Sequence, residues 1–197
     1  MGGEGAGRRT DDHTVRVLVT GATSMIGRHT VDALIRAGHD VATLQRSHAD
    51  LGVQSVAGSI TDEQALDAAC RDREAVSHLA AKVGVTGDWS EYERTNVRGT
   101  QLLIEAARDA GVTRFVHVSS PSVAHAGEPL VGAAATPADP TRTRGHYATS
   151  KAMAELAALA ASTEAMPIVA IRPHLVWGPG DTQLIGRIVE RARHCLL

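Results

Sequence analysis

Tyr147 and Lys151 are four residues apart in a chain that has only two tyrosines and two lysines. On a helix this spacing places both side chains on one face, close enough for the ammonium to act on the phenol. Eighteen of the 20 basic residues are arginine, so a lysine here indicates a need for a compact point charge. A neighbouring cation lowers the pKa of a phenol, normally about 10, toward the range of a general acid or base. The pair predicts proton transfer to or from a carbonyl or alcohol oxygen; the alternative is an exposed helix on which the two side chains only pack and solvate.

A glycine-containing turn between a predicted strand and a predicted helix lies near the other end of the chain. Residues 15–20 are a short apolar and β-branched run, and residues 26–37 have helical apolar periodicity. Gly21 permits a tight turn and close approach of the backbone to a pyrophosphate, while Gly27 lets the helix pack on the strand. A second strand at 41–45 completes a βαβ unit. The pattern predicts a dinucleotide site, whose nicotinamide ring would add positive charge near the phenol; the alternative is an ordinary strand–helix turn.

The turn departs from the usual dinucleotide pattern at one position. Ser24 stands where a middle glycine is expected, and it adds a Cβ atom and a hydroxyl near the phosphates. A serine hydroxyl can donate a hydrogen bond to phosphate, so we expect altered affinity and not loss of the site. The predicted cofactor contacts in this turn are Gly21, Thr23, Ser24, Met25, Ile26 and Gly27.

The end of the second predicted strand indicates which dinucleotide is bound. An acidic residue there binds the ribose 2′-hydroxyl of NAD, whereas an arginine accommodates the 2′-phosphate of NADP. Residues 44–47 read Leu-Gln-Arg-Ser, and the first carboxylate after them is Asp50. We therefore favour NADP over NAD, with Arg46 as the phosphate partner. The alternative for Arg46 is a solvated charge at the end of a strand.

The rest of the chain alternates between predicted strands and predicted helices. Short, mostly apolar strands are predicted at 54–58, 75–79, 114–119 and 168–171. Helices are predicted at 62–69, 91–110, 147–162 and 185–193. This alternation predicts an α/β fold, a doubly wound parallel sheet covered by helices on both faces. The segment 121–145 is predicted to be a long loop across the mouth of the site, with a disordered surface excursion as the alternative.

In their order along the chain, these motifs resemble an extended short-chain dehydrogenase/reductase of the NAD-dependent epimerase/dehydratase superfamily. The resemblance covers residues 15–193 and rests on the glycine turn, the sequence LAA at 79–81, Asn96, the two serines at 119–120 and the Tyr147/Lys151 pair. Three further stretches, SSPSV (119–123), HYATSKAMAE (146–155) and IRPHLVWGPGDTQL (171–184), resemble the 3β-hydroxysteroid dehydrogenase branch.

The resemblance implies a role for each matching residue. Ser120 matches the position whose hydroxyl polarises the substrate oxygen, and Tyr147 matches the general acid/base. Lys151 matches the residue that holds the nicotinamide ribose and lowers the pKa of the tyrosine, and Asn96 matches the asparagine of the same catalytic set. Ser59 stands where many relatives carry an acidic residue beside the adenine. The implied cofactor contacts outside the glycine turn are Arg46, Ser59, Ile60, Leu79, Ala80, Ala81, Tyr147, Lys151, Pro173 and Val176.

The resemblance also implies an activity, NAD(P)-dependent oxidoreduction of a secondary alcohol or ketone on a small molecule, with a 3β-hydroxysteroid-like ring as one substrate. Two alternatives stay open: a nucleotide-sugar epimerase or dehydratase, and a non-catalytic dinucleotide- or partner-binding fragment. Family members usually continue for roughly another 100 residues that supply much of the substrate pocket. We therefore expect a Rossmann-type cofactor domain at 14–197, with the substrate subdomain largely missing, preceded by a flexible tail at 1–13.

Composition excludes several other classes of function. A net charge of −2 and five aromatic residues do not indicate a nucleic-acid-binding surface. No apolar run is long enough to span a membrane, and the first 13 residues do not resemble a signal peptide. Cys70 and Cys195 have no metal-ligand spacing, so we expect no metal, no disulfide and a cytoplasmic location. A homodimer through the two long helices, 91–110 and 147–162, is implied by the resemblance.

Overall fold

Six parallel strands form a single sheet. The structure is a computed structural model that describes residues 13–47, 50–84, 86–124, 134–174, 176–179, 181 and 185–194. The strands are β1 (Arg16–Thr20), β2 (Asp40–Gln45), β3 (Gln54–Ala57), β4 (Ala75–His78), β5 (Arg114–Val118) and β6 (Ile168–Ile171). Their order is β3-β2-β1-β4-β5-β6, which reverses direction between β1 and β4. The predicted doubly wound parallel sheet is confirmed, and each predicted strand end lies within one residue of the observed end.

Helices occur where the sequence predicts them. They are α1 (Met25–Arg36), α2 (Glu63–Cys70), α3 (Trp89–Tyr92), a π-helical turn (Glu93–Arg98), α4 (Gly99–Asp109), α5 (His146–Ala160) and α6 (Ile185–Arg193). The start of α2 differs by one residue from the prediction, because the side chain of Asp62 caps the helix by accepting from the N–H of Ala65. The predicted helix 91–110 begins two residues earlier and is interrupted by the π-helical turn, a feature that periodicity does not reveal.

The centre of the sheet is buried on both faces. In β1, Val17 and Val19 pack on one face with Val31 of α1. Leu18, which points to the other face, packs in a larger cluster that includes Leu66 of α2. Because both faces are covered, β1 is apolar at successive positions and not at alternate ones.

The edge of the sheet at β6 is more exposed than its centre. Val169 is 56% exposed and Ile171 is 44% exposed. The loop 121–145 begins with a short 3₁₀ turn (Pro121–Val123), and residues 125–133 of it lie outside the described residues. The predicted tail at 1–13 also lies outside them, except for His13. Within the described ranges, no helix combines the length and the hydropathy that crossing a membrane requires.

Candidate active site

A groove of about 510 Å³ opens at the carboxyl ends of the strands, where the order of the sheet reverses. In doubly wound sheets this crevice is where ligands bind. Nine of the predicted cofactor contacts line it, namely Gly21, Thr23, Ser24, Arg46, Ser59, Ile60, Leu79, Ala80 and Ala81. Sequence reasoning did not select Gln45, Lys82 or Arg94, which also line the groove. The other seven predicted contacts do not line this groove; they are Met25, Ile26 and Gly27 at the start of α1, Tyr147 and Lys151 on α5, and Pro173 and Val176 after β6.

The glycine turn between β1 and α1 packs closely against neighbouring backbone, and two of its residues can do so only because they have no Cβ atom. Gly21 has a φ of 73°, and a Cβ atom there would lie 2.7 Å from the backbone nitrogen of Ala80. A Cβ atom on Gly27 would overlap the carbonyl oxygen of Gly21. The two glycines therefore let α1 begin directly against the end of β1, as the sequence predicts.

Ser24 is the N-cap of α1, and its hydroxyl is already used within the turn. Its Oγ accepts from the N–H of Gly27 at 3.0 Å and donates to the carbonyl of Gly21 at 2.9 Å. The expected donation from this hydroxyl to a phosphate would therefore compete with the bond to Gly21. The backbone N–H groups of Met25 and Ile26 open the helix, where no preceding turn supplies an acceptor, and they are better suited to an anion.

Gln45 and Arg46 end β2 at the rim of the groove. Gln45 is 6% exposed, and its Oε1 atom has no hydrogen-bond partner among the described residues. Its Nε2 atom donates to the hydroxyl of Ser55 at 3.4 Å. A buried unpaired acceptor is costly unless a ligand completes it. Gln45 directly precedes Arg46, the predicted phosphate partner, but it belongs to no motif that would single it out in the sequence.

His78, the last residue of β4, is buried beneath the groove and bonded at both ring nitrogens. Thr20 Oγ1 lies 2.7 Å from Nδ1, and Thr100 Oγ1 lies 2.9 Å from Nε2. Thr100 donates its own proton to the carbonyl of Asn96, so Nε2 of His78 must carry the ring proton. Burial lowers the pKa of His78 to about 3, with a smaller contribution from the charge of Lys151, so the ring is neutral. This network holds the ends of β1 and β4 to α4.

Asn96 lies in the π-helical turn and hydrogen-bonds to α5. Its Oδ1 accepts from the backbone N–H of Lys82 at 2.7 Å, and its Nδ2 donates to the carbonyl of the same residue at 3.0 Å. Nδ2 also donates to the hydroxyl of Ser150 at 2.9 Å. The amide thus connects the segment after β4 to α5. These bonds make Asn96 a positioning residue for α5.

Tyr147 and Ser120 are brought together although 26 residues separate them in the sequence. Ser120 follows β5, its hydroxyl lies 2.9 Å from that of Ser122, and its side chain is also close to Tyr147 in the first turn of α5. Burial raises the pKa of Tyr147 above its usual value, and the nearby Ser120 side chain only partly opposes this effect. The depressed pKa that the sequence predicts is therefore absent from the protein alone, and the phenol is protonated. For the cofactor-bound state, the lowered pKa stays a prediction.

Lys151 is almost fully buried against the end of β5. It is 3% exposed, and its Nζ atom donates to the carbonyl of Val118 at 2.8 Å. Nζ also lies 3.4 Å from Nε2 of His117. Burial lowers the pKa of Lys151 to about 8, while the charge of Glu155 acts to raise it. At pH 7 the side chain is still mostly charged.

Glu155 and Arg172 form an ion pair that ties α5 to the segment after β6. Glu155 is 1% exposed, and Nε of Arg172 donates to its Oε2 at 3.0 Å. Nη2 of Arg172 donates to Oε1 at 2.5 Å, and Nη1 donates to the carbonyl of Thr136 at 2.8 Å. The bidentate pair therefore also holds the far end of the loop that follows Ser120.

A glycine turn at the reversal point of a parallel sheet defines a dinucleotide-binding α/β protein. The close packing of α1 on the end of β1, which the two glycines permit, and the unpaired acceptor of Gln45, which a ribose hydroxyl could complete, both suit such a ligand. Residues 17–196 match the model of the NAD dependent epimerase/dehydratase family, and the chain belongs to this family. The family predicted from the sequence is thereby confirmed.

Curated relatives and solved structures agree with this assignment. The chain is 39% identical to 2-alkyl-3-oxoalkanoate reductase of Stenotrophomonas maltophilia, covering 91% of this chain and 56% of the relative. It is 34% identical to 3 beta-hydroxysteroid dehydrogenase/Delta 5-->4-isomerase of Mycobacterium tuberculosis, covering 89% and 50%. The structure of DesIV, a dTDP-glucose 4,6-dehydratase from Streptomyces venezuelae with NAD bound, matches with a TM-score of 0.79 at 30% identity, covering 91% and 62%. The chain spans about half the length of the curated relatives it matches.

Proposed function

We propose that the chain is the cofactor-binding and proton-transferring part of an NAD(P)-dependent oxidoreductase that acts on a ketone or the corresponding secondary alcohol. The observation that carries this proposal is the placement of Ser120 beside the Tyr147 phenol, close enough to affect its pKa, with the buried Lys151 one helical turn further along α5. All three lie at the carboxyl edge of the parallel sheet, the edge at which the dinucleotide groove opens.

The side chains divide the chemistry between them. The nicotinamide, when bound, supplies or accepts the hydride. Ser120 donates to the substrate oxygen and orients it, and Tyr147 gives that oxygen its proton during reduction. The phenol of Tyr147 begins this reaction protonated, and its raised pKa in the protein alone means that nearby positive charge must strengthen it as an acid. Lys151 contributes positive charge that stabilises the phenolate left behind.

The substrate class follows from the names of the relatives together with this chemistry. An oxoalkanoate reductase and a hydroxysteroid dehydrogenase are named for a keto group and for a hydroxyl group respectively. We therefore infer that the substrate is a small molecule with a keto or secondary hydroxyl group on an apolar framework, and a 3β-hydroxysteroid is one member of that class.

Replacing the phenol tests the proposal. Tyr147→Phe removes the transferred proton and should lower turnover by about 10²–10⁴-fold. The assay follows NADPH absorbance with a 2-alkyl-3-oxoalkanoate and with a hydroxysteroid, while cofactor fluorescence measures binding. Cofactor binding by the variant should be close to that of the unmodified chain, because Tyr147 does not line the groove and the substitution removes only one of the predicted cofactor contacts. If the unmodified chain binds cofactor but turns over neither substrate, the non-catalytic binding fragment becomes the better description.

A nucleotide-sugar epimerase or dehydratase is the second candidate. It is supported by the likeness to a dTDP-glucose 4,6-dehydratase, which would use the same residues. In that reaction the hydride returns to the sugar within one cycle, so product would form from a nucleotide sugar without net change in NAD(P)H absorbance.

We also infer that the cofactor is NADP in preference to NAD. Arg46 is exposed at the rim of the groove, where its guanidinium group could pair with a 2′-phosphate, and the described part of this rim has no carboxylate next to Arg46 in the sequence that would repel one. NADPH should bind more tightly than NADH, and Arg46→Ala should remove most of that difference. Arg114→Ala, at the opposite edge of the sheet, is the matched control. Equal affinities in the unmodified chain would contradict this inference.

The remaining assignments concern the whole chain. We infer that residues 14–197 form one dinucleotide-binding domain, and that it works in the cytoplasm, where the buried free thiol of Cys70 stays reduced. A homodimer through the long helices is supported by the exposure of Leu156 and Leu159 on α5.

A further inference from the structure

His117 is a buried residue of β5 to which the reaction described above gives no role. Its side chain is 0% exposed. Its Nε2 atom lies 3.4 Å from Nζ of Lys151, but its Nδ1 atom has no hydrogen-bond partner in the described part of the chain. A buried ring with an unpaired nitrogen is unfavourable, because the water lost by that nitrogen is not replaced. An apolar side chain would fill the position without this penalty, so the contribution of His117 must come from Nε2.

The hydrogen bond to Lys151 determines which nitrogen of His117 carries the proton. An ammonium group only donates, so Nε2 must be the acceptor and the ring proton must be on Nδ1. Burial lowers the pKa of His117 far below its usual value, with further lowering by Lys151 and His78, and the ring therefore remains neutral. The neighbouring ring of His78, whose centroid is 5.4 Å away, has the opposite tautomer. The two histidines are paired across β4 and β5, but His78 hydrogen-bonds to Thr20 and Thr100, whereas His117 contacts Lys151.

Lys151 is held by β5 at two of its three N–H groups. One donates to the carbonyl of Val118 and one to Nε2 of His117, which leaves one for a ligand. A lysine side chain has a flexible four-carbon stem, so a single carbonyl would restrict the position of the ammonium group much less.

We propose that His117 is a positioning residue for Lys151, whose Nε2 atom acts with the Val118 carbonyl to fix the charged ammonium group against β5 and leave one N–H for the bound dinucleotide. This inference rests on the proposed function for the identity of that ligand. The contacts that carry it belong to the protein alone.

Several charged and titratable groups surround the ammonium group. They are Glu155 and Tyr147 on α5, His117 on β5, His78 on β4, and Arg172 after β6, which is paired with Glu155. Substituting His117 removes an acceptor from Lys151 and leaves the other groups in place. The charged form of Lys151 then loses stabilisation relative to the neutral form, so its pKa should fall.

Titration of the lysines by NMR provides the test. The chain has only two lysines, so labelling with [ε-¹³C]lysine gives two signals, and Lys82→Arg assigns them. His117→Phe should lower the pKa of Lys151 by about one unit, the size expected for a lost hydrogen bond to a charged group. His117→Gln, whose amide oxygen can take the place of Nε2, should restore at least half of that shift. Val116→Ala, on the same strand but the opposite face, is the control that should leave the Lys151 pKa unchanged.

Two results would overturn the proposal. One is an unchanged Lys151 pKa in a folded His117→Phe chain, and the other is an equal fall in His117→Phe, His117→Gln and Val116→Ala, which would indicate general loosening. If His117→Phe does not fold, the ring ¹⁵N shifts of the unmodified chain decide: a proton on Nε2 of His117 also overturns the proposal. None of these measurements needs cofactor or substrate. Failure of the unmodified chain to bind NADPH would count against the proposed function and leave these readouts unaffected.

Discussion

Two buried histidines, His78 and His117, couple the active site to the pH dependence of folding. Both rings are neutral in the folded protein because burial lowers their pKa values, to about 3 for His78. In the unfolded chain both imidazole rings have a pKa of about 6.5. The unfolded chain therefore binds more protons than the folded protein below that pH. The stability that the two neutral rings contribute is fully present above about pH 6.5 and is lost as the pH falls.

Urea unfolding at pH 7.5 and pH 5.5 measures this effect. Each histidine should reduce the free energy of unfolding by about 1.4 kcal/mol over that interval, because it must stay neutral in the folded protein. The two together account for about 3 kcal/mol, and His117→Gln should remove about half of the dependence. A free energy of unfolding that is the same at both pH values would show that the rings are protonated or solvated in the folded protein.

At the scale of single elements, the first turn of α1 combines a structural cap with a candidate anion site. The hydroxyl of Ser24 satisfies the N–H of Gly27, which otherwise has no partner at the start of the helix. The same hydroxyl donates to the carbonyl of Gly21 and so stiffens the turn that the ligand would approach. Because the hydroxyl proton is already engaged, we expect the serine to act on the helix more than on the phosphate.

A pair of substitutions at Ser24 separates these two roles. Ser24→Ala should lower the free energy of unfolding by about 1 kcal/mol, whereas Ser24→Gly, which introduces the glycine usual in this motif, should cost only about 0.3 kcal/mol. If the cap is the main role, NADPH affinity in the glycine variant should be close to that of the unmodified chain. A large loss of affinity in both variants, with little change in stability, would instead assign the hydroxyl to the phosphate.

At the scale of the whole molecule, the sheet has an exposed apolar edge. Val169 and Ile171 on β6 are 56% and 44% exposed. On α6, Ile188 and Val189 are 45% and 41% exposed. An unprotected edge strand presents free N–H and C=O groups as well as apolar side chains, so it favours pairing with another chain.

The chain should therefore associate with itself as its concentration rises, and light scattering should show a mass above that of a monomer. Val169→Lys places a charge on the edge strand and should reduce the concentration-dependent association, leaving any homodimer through the long helices in place. Ile35→Lys, at a 43% exposed position on α1, is the control for added charge and should not have this effect. A monodisperse monomer at all concentrations would contradict the prediction.

The structure adds groups to the site that no local pattern indicates. The sequence predicts Tyr147, Lys151 and Ser120 from spacing and resemblance, and the structure brings all three to one edge of the sheet. It does not predict Gln45 or His117, because neither residue belongs to a local motif. Their importance comes from an unpaired atom in a buried place, and burial depends on how strands from distant parts of the chain are packed.

The sequence by itself determined the six strands, the main helices, the glycine turn and the family. Periodicity and short motifs are local properties, so they can be recognised without knowing how the elements pack. Only the tertiary structure decided the electrostatics. The strand order places His78 beside His117 and packs α5 over β5, so that Lys151 loses water and meets an imidazole from 34 residues away. The pKa of Tyr147 follows the same rule. The local pattern predicted that it would fall beside Lys151 and a bound nicotinamide, and in the protein alone burial, which arises only when the whole sheet and α5 have assembled, raises it.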